Sequence, residues 1–99
     1  MPILNNIIRK TLTPSSGSAS DTFTSHGLCH QILVKPTTAS TQYDFSLTDS
    51  GSVVVFESTS ETGTLNALIT LPLAGAYTMN IDNATVNEDH TVLVVVRNA

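Results

Sequence analysis

Tryptophan is absent from this chain, cysteine occurs once, and only 12% of the 99 residues carry charge. Each shortage excludes something. With Cys29 alone there is no internal disulfide framework, which fits assembly in a reducing cytoplasm. Four basic residues against eight acidic ones, net charge −4, leave no Lys/Arg patch to displace counterions, so a nucleic-acid partner is not expected. Arg9 and Lys10 are the only adjacent basic pair. No apolar run approaches the length of a membrane span, and the first residues lack the charged start, apolar stretch and small-residue site of a secretory signal. The chain is therefore expected to be made and used as written.

Hydroxyls fill the space that charge leaves. Eleven serines and fifteen threonines give a polar, weakly ionic surface. Such a surface packs against other protein without desolvating many ions, and a buried hydroxyl finds partners more easily than a buried charge. That suits a chain that lives inside an assembly, although threonine is also a good strand former. One domain with a modest core is what this length supports.

From Gly27 onward the pattern alternates. Leu28–Lys35 reads as a strand ended by Pro36. Gln42–Thr48 places Tyr43, Phe45 and Leu47 on one face. Asp49-Ser50-Gly51 is a turn into the β-branched run Val53–Phe56. Ser58–Gly63 reads as a loop. Leu65–Leu73 carries Leu65, Ala67, Ile69, Leu71 and Leu73 on one side. Tyr77–Asp82 follows, Asn83–Asp89 is a polar loop, and Thr91–Arg97 closes the series. Six or seven strands at this spacing imply an all-β fold, an antiparallel β-sandwich of immunoglobulin-like or jelly-roll type. Val53–Phe56 and Val92–Val96 are apolar on both faces, so each is expected to be central or covered by a neighbouring subunit.

Residues 1–26 read differently from 27–99. Ile3, Leu4, Ile7 and Ile8 have a briefly helical spacing, Arg9–Thr13 resembles a short strand, and Pro14–Ser25 is a hydroxyl-rich tether with little to bury. One reading is an extended N-terminal arm, 1–26, attached to a sandwich domain, 27–99. Ile3, Leu4, Ile7, Ile8 and Arg9 would then be its protein-contacting residues, and removing residues 1–12 would leave a folded domain unable to assemble. The other is an ordinary first strand followed by a long loop.

No catalytic, cofactor or metal set stands out. His26 and His30 are four apart, but along a strand that step separates them by about 13 Å. Asp82, Asn83, Asn87, Glu88 and Asp89 give an oxygen-rich loop without the tight glycine turn of a calcium loop; an ordinary polar hairpin with Asx turns accounts for it. Asp44 and Glu57 lie outward on plain strands, Cys29 sits in an apolar context where a thiol is packing, and no nucleophile-elbow glycines occur. Tyr77, just after Gly75-Ala76, is read as a core ring whose hydroxyl bonds back to backbone, as in a tyrosine corner.

The stretches Gly27–Pro36 and Thr41–Asp49, with Thr64–Leu73 and Gly75–Ala84, resemble small structural β-domains of tailed bacteriophages, above all capsid decoration (cement) proteins. Strands of the Gly-x-Tyr-Thr type also occur in bacterial immunoglobulin-like and pre-peptidase-like binding domains. The first resemblance implies a non-enzymatic virion subunit that binds the major capsid protein or other virion subunits and forms a homo-oligomer, a trimer by analogy. Head-to-tail and tail components belong to the same class. The second implies a carbohydrate- or cell-surface-binding module. No cofactor follows from either.

Overall fold

The computed structural model describes residues 4–38 and 41–98. Its six strands are β1 (Leu4–Leu12), β2 (Ala19–Pro36), β3 (Gln42–Asp49), β4 (Val54–Thr62), β5 (Leu65–Asp82) and β6 (His90–Asn98). They join one antiparallel sheet in the order β1-β6-β2-β5-β3-β4. The described residues form a long hairpin whose two legs pair from Leu4 and Asn98 to the turn at Asp49–Val53: β1 with β6, β2 with β5, β3 with β4. Rolled up, that ribbon brings β6 beside the second half of β2 and β3 beside the second half of β5. This is the jelly-roll way of making a sandwich.

Contacts between unpaired strands show the two layers. The Tyr43 hydroxyl on β3 donates to a carbonyl across the core, with Gly63 O at 2.7 Å and Val34 O at 3.3 Å. Its ring meets His90 of β6 edge-on at 5.2 Å. One apolar cluster lies between the layers, with Ile32 and Val34 from β2, Tyr43, Phe45 and Leu47 from β3, Met79 and Ile81 from β5, and Val92, Val94 and Val96 from β6 all fully buried.

The alternating faces of β3 and β6 follow the period-two expectation. The Asp49 turn also forms, because the Asp49 carboxylate accepts from the amides of Gly51 (2.8 Å) and Val53 (2.9 Å). Four features depart from expectation. First, Leu65–Leu73 and Tyr77–Asp82 are one strand: Gly75, at φ 120°, lets β5 bend without breaking its ladder. Second, β4 runs through Ser58 to Thr62. A register shift opposite Asp44, with Ser60 at φ 57°, absorbs the extra residue. Third, Val53–Phe56 is not central. β4 is an edge strand paired to β3 alone, and Val53 and Val54 are exposed while Val55 and Phe56 are half-buried.

The fourth concerns the N-terminus. Leu4–Leu12 is a strand rather than helical, the ordinary first strand of the second reading, hydrogen-bonded along its length to β6. Pairing to β5 starts already at Ala19, so the connecting loop is short and His26, opposite Ala74, sits inside a continuous strand. The hydroxyl-rich Ser20–Ser25 stretch forms a strand because its ladder bonds need no apolar side chains. Residue 26 marks no boundary in the sheet. Cutting away residues 1–12 would remove the strand that covers β6, together with the buried Leu12, and would test folding as much as assembly.

Candidate functional site

At one end of the sandwich the β2–β3 loop and the β5–β6 loop enclose an open cleft of about 350 Å³, lined by Thr37, Thr38, Thr41, Thr85, Val86, Asn87, Glu88 and Asp89. The polar stretch picked out by sequence as oxygen-rich forms one wall. Its backbone is pinned from outside: Asn87 N donates to Pro14 O (2.6 Å) and Ala84 N to Gly17 O (3.0 Å). Asn83 and Asn87 take positive φ, 51° and 62°, a conformation asparagine tolerates.

Glu88 organises the cleft. It is 8% exposed, and its carboxylate accepts from the Thr38 amide and the Thr41 hydroxyl, each at 2.5 Å. Burial alone would push its pKa up; the bonds from Thr41 and Thr38 outweigh this and hold it below the usual carboxylate range. Beside it, Asp89 accepts from the Thr13 hydroxyl (2.6 Å), and its carbonyl accepts from the Thr37 amide (3.0 Å) and hydroxyl (3.1 Å). Behind Glu88, fully buried His90 places Nδ1 3.0 Å from the Glu88 carbonyl. A carbonyl only accepts, so Nδ1 carries the proton. Nε2 faces Glu88 Oε1 at 4.0 Å and has no hydrogen-bond partner. Sequence reasoning passed over His90, because a lone histidine opening a valine strand gives no sign of its partners.

The remaining residues singled out in the sequence do not gather here. His26 is exposed and His30 half-buried at the register shift of β2. Among the described residues no three of His, Cys, Asp and Glu form a metal-holding group. Cys29 is fully buried, its Sγ 3.6 Å from the Gln31 carbonyl, and burial raises its pKa. Tyr77 is a core ring stacked on Phe23 at 5.9 Å, and its hydroxyl accepts from the Ala74 amide at 2.8 Å. The backbone-bonded tyrosine expected there is present, at the β5 bend rather than at a strand start. Glu57 is exposed on β4. Of the arm residues, Ile3 lies outside the described residues and Leu4 begins β1. Ile7 is 55% exposed, Arg9 is exposed, and Ile8 packs against the core.

No family model matches this sequence, and no curated protein matches it. Solved structures do. The pre-peptidase C-terminal domain of a collagenase from Bacillus anthracis is similar at TM-score 0.60 and 14% identity, over 93% of this chain and 89% of that one. PirA is similar at TM-score 0.52 and 8% identity, over 93% of each chain. A mitogen from Yersinia pseudotuberculosis is similar at TM-score 0.50 and 8% identity, over 94% and 85%. The chain is a small all-β domain of sandwich type. At these identities the likeness is one of fold.

Asp44, outward on β3, has a structural task. It accepts from the Ser60 amide (2.7 Å) and from Asn83 Nδ2 (2.6 Å), and these bonds lower its pKa, the Ser60 bond most. Because the folded value is depressed, its support is present above the unfolded carboxylate range and is lost as pH falls through the folded value. Asp44→Asn should cost about 1 kcal/mol, a charge-assisted bond discounted for solvent screening. The stability gap between Asp44→Asn and wild type in urea should narrow as the buffer is taken from neutral pH into the acid range.

Proposed function

We propose that this chain is a non-catalytic contact module that works through protein–protein interfaces, in the first instance as a decoration subunit on the capsid of a phage particle. Head-to-tail and tail positions are variants of the same role. The observation that carries the reading is where large apolar side chains remain in water. Ile7 lies on β1, Val53 and Val54 lead into β4, and Leu68 lies on the first half of β5, each at least half exposed. These four lie on, or immediately before, strands or half-strands with a free edge, where a neighbouring chain can cover them at about 25 cal/mol per Å²; Val86, 53% exposed, lies instead in the cleft wall. The hydroxyl-rich surface around those four costs less to desolvate than a charged one.

The test is co-sedimentation with expanded phage shells, comparing wild type with Ile7→Lys. Ile7 points away from the core, so the variant should fold normally while its binding weakens about tenfold, because Ile7, 55% exposed, has about half of the roughly 1.5–3 kcal/mol of a fully buried aliphatic side chain left to gain. Wild-type protein that stays in the supernatant at high concentration would overturn the decoration role.

A second reading rests on the cleft. Threonine hydroxyls, Asn87 and Asp89 around an open pocket suit a polar ligand such as an oligosaccharide, as in a cell-surface binding module. Stoichiometric calorimetric titration with oligosaccharides, lost on Asn87→Ala, would favour it over the contact role.

A further inference from the structure

We infer that the first half of β5 is a self-pairing edge, through which two copies of this chain join their sheets about a twofold axis at Leu68. The inference concerns the chain alone and does not depend on any shell. β5 pairs with β2 over Leu65–Ile81, but β3 joins its other side only from Tyr77 onward. Along 65–71 every second residue therefore turns its amide and carbonyl to open solvent.

The other free edges carry devices that discourage strand addition. β1 has Arg9 and Lys10; β4 has Glu57 and Glu61; the free first half of β2 has Asp21, bridged by Lys10 at 3.6 Å. Segment 65–71 has no charge and no proline, and Pro72 ends it; a register shift against β2 falls between Leu68 and Leu71, yet the inward–outward alternation of β5 runs through it unbroken. Opposite it, β2 from Leu28 to Val34 is also free of Asp, Glu, Lys and Arg. A chain of net charge −4 thus presents one edge at which a second copy meets no like charge.

The occupant follows from the sequence of the edge, Leu-Asn-Ala-Leu-Ile-Thr-Leu. About Leu68 it is a palindrome in polarity. In an antiparallel pairing centred there, Leu65 meets Leu71, Asn66 meets Thr70, Ala67 meets Ile69 and Leu68 meets itself. Inward side chains stay with inward ones, because the local twofold of an antiparallel pair is perpendicular to the sheet. Half-buried Ala67, Ile69 and Leu71 gain the cover they lack, and Leu68, 77% exposed, is shielded by its own copy. Seven residues run about 23 Å, a contact below the roughly 800 Å² per partner of a standard stable interface. Such a dimer belongs to the weak, transient class of contact, formed by main-chain bonds as in other strand additions.

Sedimentation equilibrium over a micromolar to millimolar series tests this. The wild type should rise from the 10.5 kDa monomer towards twice that mass. Leu68→Lys, which sets two ammonium groups at the axis, should weaken the dimer at least about tenfold, with an unchanged urea midpoint. Ile7→Lys on β1 should leave it intact. Leu68→Cys should cross-link to a covalent dimer on oxidation, the two introduced thiols facing each other at cross-strand distance. A wild type that stays monomeric at millimolar concentration, an oligomer indifferent to Leu68→Lys, or failure of the introduced thiols to cross-link would each overturn the inference.

Discussion

Replacing Phe45 by alanine is expected to destabilise the fold by about 3–5 kcal/mol, against a total of about 5–15 kcal/mol for a domain of this size. Phe45 is fully buried on β3, opposite Ile81 of β5 and Ser58 of β4. It is flanked by Tyr43 and Leu47 on the same face, and Phe56 lies 6.2 Å away, ring to ring. The sheet is fixed by paired backbones on both sides of β3, so the cavity left by the ring closes only in part, and the cost contains a cavity as well as a transfer component. Phe56→Ala on the edge strand is the comparison. Its ring is half-buried, and solvent can enter the space it leaves, so about half the loss is expected there. Urea unfolding of both variants checks the difference, and equal losses would mean that β4 is held as tightly as β3.

Alternation made β3 and β6 legible, and the Asp49 turn was visible from its Asx chemistry. The roll itself was not. What lengthens β2 and β5 to 18 residues each is tolerance of bends: Gly75 at positive φ, and the register shift at His30 that switches the inward side from Cys29 to Ile32. A glycine inside an apolar run reads equally as a turn, which is why Leu65–Leu73 and Tyr77–Asp82 looked like two strands. Ser20–Ser25 looked like a tether because composition reports what a segment can bury. A strand on the edge needs only its ladder, and β2 is held there by the Phe23–Tyr77 stack and β5. The cleft was half legible. Its carboxylates stood out as a group, but Glu88 depends on amides and hydroxyls from Thr38 and Thr41, 47 and more residues away in sequence, and no local spacing encodes such a partner. The bury-or-cover expectation for Val53–Phe56 left open a choice that only topology decides. With the strand at an edge, what covers Val53 and Val54 is a question about neighbours.

Glu88→Ala should cost about 2–3 kcal/mol. The carboxylate joins the β2–β3 loop to the β5–β6 loop through two charge-assisted bonds, each worth on the order of 1.5–3 kcal/mol. Thr38 is exposed and Thr41 half-buried, so water recovers part of that. His90 makes the loss harder to repair. Its Nε2, already without a hydrogen-bond partner, would lose the nearby Glu88 oxygen while remaining fully buried. The groups facing it are Glu88 on its own side and the Tyr43 ring from β3, whose hydroxyl, pushed up to about 12 mainly by burial, stays protonated and neutral. The pH dependence has a definite sign. The Glu88 pKa is lower folded than unfolded, so the stabilisation is complete above the unfolded glutamate value and is lost as pH falls through the folded one. Wild-type protein should therefore lose stability steeply on the acid side, whereas Glu88→Gln, which keeps the shape without a titrating group, should start lower at neutral pH and fall less. Urea midpoints followed from neutral pH down to about pH 3 separate the two, and parallel curves would mean that the carboxylate charge contributes nothing to closing the loops.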